Sequence, residues 1–208
     1  MALKPSSEPG SNDLKYAIME IEVLNKVIRG RRSIFPPSYT NEDIPRPVIE
    51  TILENANYAP THRLTEPWRF TIFKGEGVKK LADFLAETYR KQTSPDHFSP
   101  AKYEATREKV LKSSCVIAIN MQLHPDKLPE WEELAAVSCA VQNMWLTATA
   151  LGVGAYWSTP ASISQLNDFL NLGPNEKCVG LFYMGYHELT PKPAVRKPIT
   201  EKLTWVEK

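Results

Sequence analysis

The stretch that decides the fold is Trp131–Thr159, which reads WEELAAVSCAVQNMWLTATALGVGAYWST. Apolar residues leave almost no polar face on Trp131–Leu151 after its first turn, which predicts a long helix buried on most sides. Gly152 ends this helix, because glycine is a common residue at a helix C-terminus, and Ala155–Thr159 is strand-like. A helix this apolar is covered either by a sheet or by a second subunit.

The segments on either side of this stretch alternate between helical and strand-like patterns. Apolar spacings of three and four predict helices, whereas alternating or continuous apolar runs predict strands. The predicted helices are Asp13–Arg29, Pro45–Ala59, Val78–Lys91, Lys102–Lys112 and Ser162–Leu170, and the predicted strands are Trp68–Phe73, Ser114–Met121 and Cys178–His187. Ser162 is a candidate N-cap. Strands separated by helices predict a three-layer α+β fold with a mixed sheet.

Length and charge limit the class of protein. The 208 residues fit a single domain over 13–208 after a disordered leader over 1–12. Lys plus Arg is 25 and Asp plus Glu is 24, so the net charge of +1 gives no general attraction to nucleic acid or anionic lipid. No apolar run approaches the length of a membrane span. We therefore expect a cytoplasmic protein with neither nucleic-acid nor membrane partners.

Cysteine and histidine do not indicate a metal site. Cys115, Cys139 and Cys178 lie in separate apolar runs and form no CxxC pair, so neither a zinc site nor a dithiol motif is predicted. Three buried, reduced thiols are expected, which suits a reducing compartment. The 4 histidines have no spacing that would build a metal site.

Two basic segments are candidate anion sites. Arg31-Arg32-Ser33 follows the first predicted helix, and paired guanidinium groups can offer parallel N–H donors to a phosphate. Arg196 and Lys197, in the proline-bearing tail, could close over an anion. Considered separately, the first segment is equally consistent with a solvated basic loop and the second with a solvated tail.

Two further segments are candidate ligand contacts. The loop Ala59–Trp68, APTHRLTEPW, lies between a predicted helix and a predicted strand, which is a typical place for a binding loop. In LGVGAYWST, Gly152 and Gly154 allow close approach of the backbone to a flat ring. This segment is not the dinucleotide fingerprint GxGxxG, because the third glycine position is Trp157.

These four segments, in their order along the chain, resemble the nitroreductase superfamily, and the resemblance extends from about Ile21 to Glu207. It implies a three-layer α/β/α fold with a mixed, mostly antiparallel central sheet and an extended C-terminal tail. It also implies a homodimer that binds flavin mononucleotide (FMN) at the subunit interface. The subgroup most similar to this chain is the small, single-domain nitroreductase-like proteins.

The resemblance also implies which residues bind FMN. Arg31, Arg32 and Ser33 would bind the phosphate and ribityl chain, and Arg196 or Lys197 would complete the phosphate site. The remaining contacts come from two places: Tyr58 and His62 would reach the cofactor from the partner subunit, and Tyr156, Trp157 and Ser158 would lie along the isoalloxazine ring.

The chain departs from the family pattern at three positions. Many members have Asn where this chain has Leu64, Gln where it has Glu66, and Lys or Arg where it has Phe35. The group that stabilises negative charge at flavin N1 and O2 is therefore unassigned, with Arg63 and His62 as candidates.

The activity implied by the resemblance is ping-pong transfer of hydride from NADPH or NADH, through flavin N5, to a small acceptor. The acceptor would be a nitroaromatic, a quinone or a similar electron-poor molecule, and no protein side chain would act as a catalytic acid or nucleophile. Three alternatives stay open. They are a flavoenzyme of the same fold that catalyses dehalogenation or flavin fragmentation, a non-catalytic flavin-binding protein, and an α+β protein without a cofactor.

Overall fold

The computed structural model describes residues 11–207, with side chains from residue 18 onward. Of the predicted disordered leader, residues 1–10 lie outside the described part, whereas Ser11 and Asn12 already belong to the first helix. The chain divides into two compact units. One contains residues 33–189, and the other combines residues 1–32 with residues 190–208.

The described residues form six α-helices and four strands, and the predicted elements are all present with ends shifted by a few residues. The helices are α1 (Ser11–Gly30), α2 (Arg46–Ala56), α3 (Glu76–Gln92), α4 (Pro100–Leu111), α5 (Glu130–Ala150) and α6 (Ile163–Phe169). The strands are β1 (Trp68–Lys74), β2 (Cys115–Gln122), β3 (Val153–Ser158) and β4 (Glu176–Tyr186).

The four strands form one sheet in the order β1-β2-β4-β3, and every pair of neighbouring strands is antiparallel. The only parallel pairing among the described residues is an isolated bridge between Ser33 and Ala155. The predicted mostly antiparallel sheet is therefore confirmed, and its mixed character is limited to this bridge. A helical connection joins every pair of consecutive strands: α3 and α4 lie between β1 and β2, α5 between β2 and β3, and α6 between β3 and β4.

Both faces of the sheet are covered, which confirms the three-layer fold of residues 33–189. Alternating side chains of β2 point to opposite faces. Ile117 and Ile119 pack with residues of α2 and α5 such as Ile52 and Met144, and all four are fully buried. On the other face, side chains of β2 and β4 pack against α3 and α6, while α4 packs on α3. Each face therefore has its own core.

Two predictions about single residues are wrong. Cys115 and Cys178 are buried, but Cys139 is exposed, because α5 is apolar all round and only one side of it packs on the sheet. Ser162 occupies the N-cap position of α6 but makes no capping hydrogen bond. Its backbone (φ −85°, ψ 20°) lacks the extended conformation that directs an N-cap oxygen towards the first amides of a helix.

The end of α5 is as predicted. Gly152 has φ +72°, a left-handed conformation that ends the helix and that glycine adopts without strain. β3 then begins at Val153. Among the described residues, no helix combines the length and the hydropathy needed to cross a membrane.

Candidate cofactor site

Four predicted phosphate ligands, Arg31, Arg32, Arg196 and Lys197, belong to the unit formed by α1 and the tail. Arg31 and Arg32 follow Gly30, the last residue of α1. Burial lowers the pKa of Arg31, and the charges of Arg196 and then Arg32 lower it further. Cations close enough to disfavour one another's charge make an anion among them favourable.

Arg32 also has a structural role. Its Nε donates to the carbonyl of Lys192 at 2.8 Å, and its Nη1 donates to the carbonyls of Arg29 and Arg31, each at 2.7 Å. Carbonyls at the end of a helix lack partners within the helix and attract cations. Arg32 therefore connects the end of α1 to the tail, an interaction that neither sequence-based interpretation of this segment included.

Ser33 begins the other unit and lies against β3. The backbone of Ser33 forms the isolated bridge with Ala155, and the amide of Ile34 donates to the carbonyl of Ala155 at 3.0 Å. Ile34 also packs over Gly154, where an added Cβ would lie 2.9 Å from Ile34 Cγ2. Gly154, the second glycine of LGVG, is thus needed for the close approach of Ile34, and Ser33 is exposed beside it.

Tyr156 and Ser158 lie on one face of β3, and Trp157 lies on the other. The ring of Tyr156 packs against that of Phe35, with centroids 4.6 Å apart. Ser158 is buried, and its Oγ accepts a hydrogen bond from Lys109 Nζ at 3.3 Å. The structure therefore groups Tyr156 with Ser158 and Phe35, while Trp157 contacts the opposite layer.

Trp157 fills space that a glycine leaves open in the neighbouring strand. Gly180 on β4 has φ +154°, and an added Cβ there would collide with the Trp157 indole. The Trp157 Nε1 is buried and has no hydrogen-bond partner among the described residues. A buried N–H without a partner is unfavourable, so this donor is a candidate contact for a bound ligand.

The loop from Tyr58 to Glu66 forms a second group of predicted site residues. Tyr58 has 77% of its surface exposed, and His62 Nδ1 lies 2.5 Å from a carboxylate oxygen of Glu132 on α5. Three residues, Arg63, Leu64 and Glu66, have φ values of 50°, 53° and 43°. Such left-handed conformations are unfavourable for residues other than glycine and are frequent at functional sites.

Hydrogen bonds hold the loop in this conformation. The Thr61 hydroxyl accepts from the Glu66 amide at 3.1 Å and lies 3.3 Å from the hydroxyl of Thr65, which is itself buried. The threonines thus position Arg63 and Leu64, which are exposed and lie between them in sequence. Sequence reasoning identified this loop but not its backbone conformation, because it contains no glycine to indicate a positive φ.

Comparison with known proteins agrees with this fold. A model of the nitroreductase family matches residues 28–186, so the chain belongs to the nitroreductase family. It is 30% identical over 190 residues to the Bacillus subtilis (strain 168) protein named "Putative NAD(P)H nitroreductase YfhC", covering 90% of this chain and 96% of that protein. It is 29% identical over 180 residues to iodotyrosine deiodinase of Hydra vulgaris, covering 76% of this chain and 63% of that protein.

Solved structures have the same fold. A nitroreductase-like family protein from Bacillus cereus superimposes with a TM-score of 0.77 at 23% identity, over 100% of both chains. A structure from Desulfovibrio desulfuricans, described as a nitroreductase in complex with FMN, has a TM-score of 0.64 at 25% identity and covers 88% of this chain and 96% of its own.

Proposed function

We propose that this protein is a homodimeric, FMN-dependent NAD(P)H oxidoreductase that reduces nitroaromatics, quinones or similar electron-poor small molecules. The observation that carries the proposal is the arginine cluster Arg31, Arg32 and Arg196, in which burial, and then the charges of Arg196 and Arg32, lower the pKa of Arg31. A phosphate dianion relieves this repulsion and accepts parallel N–H donors from arginine. Membership of the nitroreductase family and the FMN complex of a relative support the choice of mononucleotide.

The residues present fit FMN in three respects. Arg31 and Arg32, with Arg196 or Lys197, would hold the phosphate, and Ser33, next in the chain and exposed beside β3, would contact the ribityl chain. Tyr156 and Ser158 share one face of β3 and would lie along the ring, whereas Trp157 is on the other face, where its buried Nε1 has no hydrogen-bond partner among the described residues. When bound, FMN supplies the two-electron chemistry between nicotinamide and acceptor.

Side chains would contribute binding and electrostatics rather than proton transfer. Arg63 or His62 is proposed to place positive charge near flavin N1 and O2, where negative charge accumulates on reduction. Both side chains are exposed, and His62 is paired with Glu132. Tyr58 and His62 are proposed to reach the cofactor of the partner subunit, which their exposure in the single chain allows.

Exposed apolar surface supports the homodimer. On α1, Ile18, Ile21, Leu24 and Ile28 recur at intervals of three and four residues, and each is 45–49% exposed. Trp131 and Leu134, at the start of α5, are 68% and 40% exposed. Contiguous exposed apolar residues of this kind mark protein interfaces, and a second copy of the chain is the occupant we propose.

The first experiment is a visible spectrum of the purified protein before and after anaerobic addition of NADPH or NADH. We expect a bound-flavin band that bleaches with at least one nicotinamide and recovers with a nitroaromatic or quinone acceptor. A flavin band that bleaches with neither would overturn the reductase assignment and favour a non-catalytic flavin protein.

The second experiment tests the phosphate site. Arg31→Ala with Arg32→Ala is expected to weaken FMN binding by about 100-fold, because two charge-assisted contacts are lost. Lys26→Ala with Arg29→Ala, on the last turns of α1, is the matched control and should keep its flavin. Flavin retained at full stoichiometry in the Arg31/Arg32 variant, with an unchanged circular dichroism spectrum in both, would contradict the assignment.

Reductive dehalogenation is a second candidate function, since iodotyrosine deiodinases are among the relatives. It would use the same flavin site with a halogenated phenol as acceptor, releasing halide. A flavin that nicotinamide reduces but that turns over neither nitro nor quinone acceptors would favour it. Rapid turnover of those acceptors, without halide release from iodotyrosine, would exclude it.

A further inference from the structure

A cavity of about 250 Å³ lies within residues 33–189, between α3, α4 and the connection from β3 to α6. Its polar lining includes two ammonium groups and several hydroxyls, contributed by Tyr89, Lys102, Thr106, Lys109, Ser158 and Ser162. No carboxylate is among its lining residues in the described part of the chain. The cavity therefore offers donors and positive charge without a negative group to neutralise them.

Lys109 is the central feature of this cavity. Its Nζ donates to Ser158 Oγ at 3.3 Å and lies 4.9 Å and 4.7 Å from the ring centroids of Tyr156 and Tyr183. The side chain is half-buried, and among the described residues it forms no ion pair with a carboxylate, whereas Arg107 on the same helix pairs with Asp83. Burial lowers the pKa of Lys109. A desolvated ammonium held only by aromatic rings and a hydroxyl binds an anion favourably.

The remaining lining indicates what kind of anion fits. A second ammonium, Lys102 Nζ, lies 4.9 Å from the ring centroid of Tyr89. Apolar walls come from Leu85, Pro160 and the Tyr183 ring. Inorganic phosphate would leave these walls in contact with water, whereas a carboxylate on a small apolar body would cover them. The cavity is smaller than most sites for drug-sized ligands, which limits the body to about one ring.

We propose that this cavity binds a small organic carboxylate of about the size of benzoate, with its carboxylate on Lys109 and its apolar body between Tyr89, Leu85 and Pro160. This inference does not depend on flavin chemistry. The site adjoins two proposed flavin contacts, because Ser158 lines it and Lys109 lies against Tyr156, but the rest of its lining comes from α3, α4, β4 and the β3–α6 connection. Oxidised full-length protein, as purified, is therefore the form to test.

Calorimetric titration with benzoate, benzamide and inorganic phosphate tests the proposal. We expect benzoate to bind, and benzamide and phosphate to bind at least about 10-fold more weakly, because only benzoate offers both charge and apolar area. Lys109→Gln is expected to weaken benzoate binding by about 10-fold or more. Lys112→Gln, an exposed change at the end of the same helix that does not line the cavity, should bind as the unaltered protein does.

Further measurements keep the test decisive if Lys109→Gln does not fold. Lys102→Gln changes an exposed side chain and is expected to weaken benzoate binding by about 3-fold. The flavin spectrum is recorded in each titration. Any one of four outcomes would overturn the proposal. Benzamide binds as tightly as benzoate, phosphate binds and benzoate does not, both cavity variants bind benzoate with unchanged affinity, or benzoate releases the flavin.

Discussion

Tyr39 shows how one side chain holds a connecting segment against the sheet. Its hydroxyl is buried, 2.8 Å from the carbonyl of Ile34 and 3.0 Å from that of Tyr183. Its ring lies over Gly185, where an added Cβ would be 2.5 Å from Tyr39 Cγ. The segment that follows Ser33 is thereby fixed against β4, so Tyr39 contributes to the position of predicted site residues that it does not itself contact.

Replacing this hydroxyl tests its contribution. Tyr39→Phe is expected to lower the free energy of unfolding by about 1–2 kcal/mol, because the ring still packs while buried carbonyls lose a donor. Urea denaturation measures the change. Tyr58→Phe is the control, and since Tyr58 is 77% exposed we expect a change below about 0.5 kcal/mol. Equal effects of the two substitutions would show that the buried hydroxyl contributes nothing.

The sequence led to proposed roles for Arg31 and Tyr156 but to none for Tyr39 or Lys109. Clustered arginines and glycines form local motifs that can be recognised in a sequence. Tyr39 instead acts through contacts with residues distant in sequence, such as Tyr183. Lys109 is one of several lysines on a charged helix. Nothing in the local pattern distinguishes it from Lys112, because only the packing of α4 against the rest of the fold turns one inward.

At the scale of elements, the loop from Thr61 to Glu66 is the segment where backbone conformation matters most. Leu64 has φ 53° and an 82% exposed side chain, so its conformation is unfavourable and its apolar surface is in water. Threonine hydroxyls and the following strand hold it there. Asparagine tolerates this region of φ and ψ better than leucine does.

Leu64→Asn is therefore expected to raise the free energy of unfolding by about 0.5–1 kcal/mol. Leu151→Asn is the matched control. Leu151 is also an exposed leucine, but its φ is −90°, so there is no unfavourable conformation to relieve. Urea denaturation of both variants checks the prediction. It is wrong if Leu64→Asn stabilises the protein no more than Leu151→Asn does.

The elements themselves were more predictable than this loop. β2, whose side chains are buried along nearly its whole length, reads as a continuous apolar run, and α5 reads as a long apolar helix. The order of strands in the sheet did not follow from any one segment. It depends on pairing between β2 and β4, which are separated by α5, β3 and α6 in the chain.

At the scale of the whole molecule, the exposed apolar stripe on α1 predicts self-association. Ile21→Glu with Leu24→Glu is expected to convert a dimer to a monomer, because four charges would be buried in a symmetric interface. Light scattering coupled to size-exclusion chromatography measures the mass. Glu22→Gln with Lys26→Gln, at exposed polar positions of the same helix, should stay dimeric. A dimer that survives both glutamates places the interface elsewhere.

The buried ionisable groups predict loss of stability at alkaline pH. Burial raises the pKa of Cys115 to about 12 and of Cys178 to about 11, and it also raises the pKa values of Tyr39 and Tyr183. In the unfolded chain, thiols have a pKa of about 8.5 and phenols a pKa of about 10. The stabilising contribution of these neutral groups is thus fully present below about pH 8.5 and is lost as the pH rises towards the folded-state values.

Each buried thiol is expected to lower the free energy of unfolding by about 2 kcal/mol between pH 8.5 and pH 10. Urea denaturation at the two pH values measures this slope. The lowered pKa of Lys109 makes the free energy of unfolding rise with pH, which opposes the effect of the thiols. The contribution of one thiol is therefore isolated by comparison with Cys115→Ala, in which the free energy of unfolding should fall less between the two pH values. Identical slopes in the two proteins would contradict the prediction.

If the arginine cluster at the exit of α1 binds the FMN phosphate, as we propose, the protein's lifetime would depend on cofactor supply. Burial, then the charges of Arg196 and Arg32, lower the pKa of Arg31, and Arg32 joins α1 to the tail through the carbonyl of Lys192, so a bound phosphate would stabilise this unit. A cell short of riboflavin would then hold a form in which proteases cleave the unit of α1 and the tail more readily. The abundance of the polypeptide, as well as its activity, would follow the vitamin.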